Sequence, residues 1–201
     1  MNKFPMNSSK KIQYDIFLKG SELDLIVLNE DIINYTQWYN WFNDADVTSN
    51  MQQHYYPNSK LDQLEYFNEN LKNSHQNFQL GILHKDDNKL IGVISLNAID
   101  HLNKKCKVAV IIGEKKYQSM NYFLEANRLI FDHAVSALGM RRIEGGSLSK
   151  EVALLHERML GFHSEGTKIK EVFKDGEYRD VYYFAKLLTN YKEKKFSIYS
   201  S

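Results

Sequence analysis

The sequence predicts a mixed α+β (α/β) domain built on a central, mostly antiparallel twisted sheet of about six or seven strands with about four flanking helices. Three observations carry that expectation. Val108, Ala109, Val110, Ile111 and Ile112 are apolar without a break, which predicts a central strand covered on both faces. Two strand-like runs, 78–83 and 90–96, flank the polar Lys85-Asp86-Asp87-Asn88, and a further turn near Asn103 leads into the central strand, giving an antiparallel meander. Asp175-Gly176 separates two more strand-like runs, 162–173 and 177–188, as a strong hairpin signal.

In chain order, residues 1–13 are polar and lysine-containing and read as a flexible arm. Residues 14–28 carry one or two strands, and Asn29 or Asp31 is placed to cap a helix over 31–42. In that helix Ile32, Ile33, Tyr35, Trp38, Tyr39 and Phe42 are spread too widely for one apolar stripe, so some of the aromatics should face a groove. Residues 43–58 form a polar connection with the aromatic cluster His54-Tyr55-Tyr56 ahead of Pro57. Ser59 can cap a helix over 61–72, whose Leu61, Leu64, Phe67 and Leu71 make a clean stripe. After the central strand, Tyr122, Phe123, Ala126, Ile130, Ala134 and Ala137 recur at helical spacing and Gly139 stops the run. A strand over 141–147 and a short helix over 151–160 follow. The polar, basic tail is 189–201, leaving 14–188 as one domain.

The length suffices to bury a core without disulfides or metal. The formal net charge of +1 arises from interleaved lysines and acids, which argues against a nucleic-acid binder held by clustered phosphate contacts. Cys106 is the single cysteine, so no disulfide framework or cysteine-rich zinc site is available, and nothing calls for a metal. No apolar run has the form of a signal peptide or the length of a membrane span. These features suggest a cytoplasmic protein that does not act on membranes.

The family resemblance rests on several separate pieces. They are Trp38 and Trp41-Phe42-Asn43-Asp44 at a helix end, Leu90-Ile91-Gly92 on a strand, Glu125-Ala126 in the long helix, Leu160-Gly161-Phe162, Glu165-Gly166 and Gly176-x-Tyr178-x-Asp180. In this order and spacing, over residues 15–188, they resemble the GNAT acyl-CoA-dependent N-acetyltransferases. The nearest branch is that of the ribosomal-protein-alanine acetyltransferases and many bacterial amino-sugar acetyltransferases. The resemblance implies a GNAT fold whose sheet splays between its fourth and fifth strands, with acetyl-CoA in the opening. It further implies direct attack by an amine, without a covalent enzyme intermediate.

By resemblance, backbone amides of Val110, Ile111 and Ile112 handle the thioester oxygen and the pantetheine arm. The pyrophosphate falls to the turn of Gln118, Ser119, Met120, Asn121 and Tyr122, at a helix start where unpaired N–H groups and the macrodipole favour an anion. The family loop reads Gln/Arg-x-x-Gly-x-Gly/Ala. Here Lys116 takes its first position, while Ser119 and Asn121 replace the glycines, so a Cβ is introduced at both. Lys150 stands where the family commonly has an asparagine touching pantetheine. Tyr117 either lines the thioester pocket or packs against the helix. The tyrosine that often protonates the thiolate has no clear counterpart; His156 or Glu157 occupies that part of the helix, and His156 reads either as a proton donor or as a packed histidine. Glu114, directly after the central strand, could deprotonate an ammonium through water or simply be solvated beside Lys115 and Lys116.

The acceptor side is assigned to Trp41, Asn43, Asp44, His54, Tyr55 and Tyr56, since aromatics with polar tips suit a flat, polar ligand. Cys106 is read as a buried small apolar residue with no nucleophilic role. The expected activity is acetyl transfer to a primary amine of a small molecule, an amino sugar or nucleotide-linked amino sugar. Acetylation of a protein N-terminus and a degenerate, non-catalytic acyl-CoA-binding module are the alternatives, and a homodimer is left open.

Overall fold

The computed structural model describes residues 12–52 and 56–188. The arm other than Ile12 and Gln13, the tail, His54 and Tyr55 lie outside the described residues. Eight strands form one sheet: β1 (Ile16–Lys19), β2 (Leu23–Val27), β3 (Phe78–His84), β4 (Lys89–Asp100), β5 (Lys105–Ile112), β6 (Arg142–Ser147), β7 (His163–Lys174) and β8 (Glu177–Leu187). Their spatial order is β1-β2-β3-β4-β5-β6-β8-β7, and β5 against β6 is the one parallel pair among the described residues. The six described helices are α1 (Glu30–Tyr35), α2 (Trp38–Trp41), α3 (Ala45–Thr48), α4 (Lys60–Tyr66), α5 (Met120–Ser136) and α6 (Lys150–Leu160).

The strand count exceeds the expected six or seven because residues 14–28, which could carry one strand or two, form two, paired antiparallel. That extra strand also moves the opening of the sheet from between the fourth and fifth to between the fifth and sixth. The helix expected over 31–42 is broken at Thr36, whose hydroxyl and amide both bond back to the Ile32 carbonyl, at 2.6 and 3.0 Å. Its hydroxyl then accepts from the Trp38 amide, starting α2 in a new direction. The connection 43–58 contains α3, capped by Asp44 on the amides of Asp46 and Val47. The helix after Ser59 has the expected Ser59 cap, which the structure extends to a capping box with Asp62 as reciprocal partner, and it ends in a π-helical turn, Phe67–Leu71.

Two apolar layers cover the sheet. Against one face, α5 and α6 bury Ala126, Ile130, Ala134, Ala153 and Leu160 with Leu25, Ile82, Ile94, Ile143 and Phe184. Against the other, α1 and α2 bury Ile32, Ile33, Trp38 and Trp41 with Ile26, Leu83 and Val93. Each fully buried Leu, Ile or Val among them contributes roughly 1.5–3 kcal/mol. Glu125 fixes α5 lengthwise: its carboxylate accepts from the amides of Ser21 and Glu22, at 2.5 and 3.0 Å, in the β1–β2 turn. Asp175 and Gly176 both take positive φ, 52° and 84°, as a two-residue hairpin turn requires.

The strand predicted to be covered on both faces is not. Cys106 is buried, but Val108, Val110, Ile111 and Ile112 are half-buried and Ala109 is exposed. The reason lies in its neighbours. β4 pairs with β5 along the whole length, from Asp100 against Lys105 to Gly92 against Ile112. β6 pairs with β5 only over Lys105, Cys106 and Lys107, and then diverges.

Candidate active site

The divergence of β5 and β6 opens a cleft of about 760 Å³ that passes through the sheet. Alternation assigns its walls to the two faces. Val108, Val110 and Ile112 turn toward the α5–α6 layer, where Phe123, Val152, Leu155 and His156 complete an apolar wall. Lys107, Ala109 and Ile111 turn the other way, with Asn97, Glu144, Gly146, Tyr183 and residues 50–52.

The backbone of β5 supplies the polar groups. The Gly113 amide donates to the Ile91 carbonyl of β4 at 2.9 Å, whereas the Ile112 carbonyl accepts from Gln118 Nε2 at 3.0 Å. Since peptide groups alternate along a strand, those of Val108, Val110 and Ile112 point into the opening and that of Ile111 points to β4. Of the three amides expected to meet the thioester, Val110 and Ile112 are therefore placed for it. Ile111 contributes its side chain to the opposite face.

At the head of the cleft the Ser119 hydroxyl caps α5 on the Tyr122 amide at 3.3 Å. The Gln118 amide is used by the Lys115 carbonyl and the Ser119 amide by the Tyr117 carbonyl. The amides of Met120 and Asn121 remain for an anion, at the positive end of a 17-residue helix. Serine at the position of the family's first glycine thus has a physical role as N-cap, worth about 1 kcal/mol. Acetyl-CoA fits this arrangement: an apolar trough for the pantetheine arm, an open strand edge for its amides, and a helix start for the pyrophosphate. Bound there, it supplies an activated acyl thioester.

Other expected residues are placed away from the opening. Tyr117 is 6% exposed and packs among His84 and Tyr122, its hydroxyl donating to Asp87 Oδ2 at 2.5 Å, which pushes its pKa up to about 12. The Tyr122 hydroxyl bonds to His84 Nε2, also behind the loop. Glu114 turns toward β4: Oε2 accepts from Lys89 Nζ at 2.6 Å and Oε1 from Trp41 Nε1 at 3.3 Å. It is not among the residues lining the cleft, and neither is the exposed Lys150.

His156 does line the cleft, but from within an aromatic box, stacked on Phe184 at 4.3 Å and edge-on to Phe123 and Phe162. Its Nδ1 bonds to the Val152 carbonyl at 2.8 Å, so the ring proton sits on Nδ1. Burial pushes its pKa down, and the neutral ring offers a lone pair at Nε2. That geometry suits accepting a proton better than donating one to a thiolate.

On the acceptor side, Trp41 is buried against Gly113, where an added Cβ would overlap its ring. Asn43 exchanges two hydrogen bonds with the backbone of Asn58, both at 2.7 Å. Asp44 caps α3 and pairs with Lys115 at 2.9 Å, which holds its carboxyl below the ordinary range. Tyr56 is exposed and outside the cleft. Trp41, Asn43 and Asp44 thus turn their polar groups to the protein itself and do not line the cleft. The surface on that side consists instead of Asp46, Val47, Asn50, Met51 and Gln52. Lys174 holds that stretch in place: its buried ammonium donates to the carbonyls of Thr48, Ser49 and Met51, at 2.5, 3.4 and 3.0 Å.

Sequence reasoning missed Gly145, Gly146 and Tyr183. The two glycines were a usable signal, since adjacent glycines inside a strand mark a close approach. A Cβ at Gly145 would overlap Phe184, and one at Gly146 would come within 2.8 Å of Gln52 Nε2. Tyr183 had no local signal.

A family model for the acetyltransferase (GNAT) domain matches residues 26–153. A probable N-acetyltransferase of Bacillus subtilis, YjcK, is 28% identical over 106 residues; the match covers 52% of this chain and 59% of that protein. Among solved structures, the Vibrio cholerae spermidine N-acetyltransferase in complex with CoA and spermine superposes with a TM-score of 0.74 at 20% identity, over 84% of this chain and 96% of the other. The microcin C7 self-immunity acetyltransferase MccE, in complex with acetyl-CoA and AMP, gives 0.70 at 19%, over 84% and 94%. At such identities the superpositions speak for the fold alone. The family match spans most of the chain, from β2 to the first turn of α6, and by it the protein belongs to the acetyltransferase (GNAT) family.

Proposed function

We propose that the protein moves the acetyl group of acetyl-CoA to a primary amine of a small molecule by direct attack. The observation that carries this reading is the open edge of β5. Its unpaired peptide groups line a passage that joins an apolar trough on one face of the sheet to a polar one on the other. Donors fixed in a strand can meet the oxygen of the thioester as it becomes anionic without reorganising. The acceptor class the sequence suggests, an amino sugar or nucleotide-linked amino sugar, draws support from different residues than those first assigned. Asn50, Gln52, Asn97 and Tyr183 offer the amide and hydroxyl groups that read sugar hydroxyls. No described helix is long and apolar enough to cross a membrane. Cys106 is buried with its thiol pushed up to about 12, and an inert single thiol is compatible with the cytoplasm.

Isothermal titration with acetyl-CoA, followed by thiol release with amine panels, tests the reading. Binding that Ser119→Glu weakens by more than about tenfold is expected, because a carboxylate would face the phosphates at the start of α5. Thiol release with amino sugars but not with peptides would favour the small-molecule reading over N-terminal acetylation. Binding without release to any amine would leave a non-catalytic acyl-CoA-binding module.

A further inference from the structure

At the edge of the sheet, with β8 between it and the cleft, β7 departs from regular pairing. Lys168 lies against Val181 and Val172 against Arg179, so Ile169, Lys170 and Glu171 together oppose the single residue Asp180. Lys170 takes φ 51°, and its amide donates to Asp180 Oδ1 at 2.8 Å. A left-handed lysine inside a strand costs free energy, and bulges beside sites commonly re-aim a side chain. Here the re-aimed side chain is Glu171, and the Asp180 that holds the bulge closes the glycine-tyrosine-aspartate motif of the sequence.

Glu171 meets the cleft through Tyr183. The Tyr183 hydroxyl donates to Glu171 Oε2 at 2.8 Å, so the phenol oxygen keeps only lone pairs for a ligand. The other carboxylate oxygen, Oε1, accepts from Lys168 Nζ at 2.7 Å, and that ammonium lies 4.9 Å from the centre of the Tyr183 ring. Carboxylate and aromatic face together form a place for a primary ammonium. The present occupant is a flexible lysine whose side chain is 63% exposed. Such a surface ion pair contributes little, so a competing ammonium displaces it cheaply. Asp46 ahead of residues 50–52, Lys107 on β5 and Glu144 on β6 are the charged groups lining the cleft on this face, and Glu171 stands behind Tyr183 at its margin.

Resting on the acetyltransferase reading above, we propose that Glu171 and Tyr183 form a subsite for a second, non-reacting ammonium of the acceptor, which enters by displacing Lys168. The acceptor is then a molecule with at least two amines, either a flexible polyamine or a ring bearing several amino groups. Lys168 acts as an internal competitor that raises the threshold for weak cations.

The test is calorimetric titration of protein saturated with CoA, which has no acetyl group to transfer, using spermidine, 2-deoxystreptamine and, as single-amine control, propylamine. At least one of the two multi-amine ligands should bind more tightly than propylamine. Glu171→Gln should weaken that ligand several-fold and leave propylamine unchanged, the loss of one partly exposed charge-assisted contact. Lys168→Met should tighten it several-fold, by removing the competitor. Preference for spermidine identifies a chain, and preference for deoxystreptamine a ring. Multi-amine ligands no tighter than propylamine in the wild type, indifference to Glu171→Gln, or weakening by Lys168→Met would each overturn the subsite. Failure to bind CoA would instead count against the acetyltransferase reading, and the same titrations on the free protein would still decide the subsite.

Discussion

The two walls of the cleft are built differently. The cofactor wall comes from one continuous stretch, β5, its turn and the start of α5, with Ser119 capping its own helix and Gln118 bonding back to Ile112. The acceptor wall is assembled from residues far apart in the chain. Lys174 reaches the carbonyls of Thr48 and Met51, Lys115 pairs with Asp44 and Asp46, and Gln52 rests where Gly146 leaves room. One wall is a local motif; the other is a set of tertiary contacts around a segment with little regular structure of its own. The acceptor wall should therefore be separately breakable, with cofactor binding left intact.

The largest effect is expected where the walls join. Gly113→Ala would drive a methyl into the Trp41 ring at the point where β5 meets α2, and should cost about 3 kcal/mol in urea unfolding. A loss below about 1 kcal/mol would show that α2 shifts freely, and that the join is softer than its burial suggests. Lys174→Met tests the separation directly. It leaves three carbonyls without their donor, and should cost about 2 kcal/mol while raising the acceptor KM roughly tenfold. Acetyl-CoA affinity should be unchanged, and an equal loss in both would mean that the walls act as one unit.

A smaller effect concerns His156 on the cofactor wall. Its folded pKa lies below the ordinary 6.5, so the unfolded chain takes up a proton that the native state resists. Its contribution to stability is present above pH 6.5 and is lost as pH falls below it. His133 on α5 shifts in the same direction, also through burial. His156→Phe should flatten part of the fall in unfolding midpoint between roughly pH 7 and pH 5. An unchanged slope would place the proton uptake elsewhere. The smallest effect is expected from Glu114→Gln, since Lys89 and Trp41 engage both carboxylate oxygens outside the cleft. The pH profile of turnover should keep its shape; a shifted acid limb would restore Glu114 as the base.

The same contrast explains what was legible in the chain. The long helix, its stop, the Asp175-Gly176 hairpin and the meander follow from spacing and turn residues, and the structure has them. The break at Thr36 was hidden because aromatic spacing on either side looks continuous, while a hydroxyl bonding back to Ile32 ends the turn. The exposure of Ala109 was hidden because an apolar run reads the same whether its faces meet protein or a ligand. Trp41, Asn43 and Asp44 have the chemistry of ligand contacts and spend it on Glu114, Asn58 and Lys115.

The sequence by itself determined most of the elements, the family likeness and the strand-turn-helix wall of the cleft from β5 to the Ser119-capped start of α5, because strand, cap and helix dipole are decided by residues a few positions apart. Only the tertiary structure decided which polar side chains face the cleft. β6 must diverge from β5 before there is a cleft; Tyr183 reaches it through the pairing of β8 with β6, and Glu171 reaches Tyr183 from a bulge on β7. Side-chain direction there depends on register between strands distant in the chain, and a shift of one residue would turn every side chain to the other face.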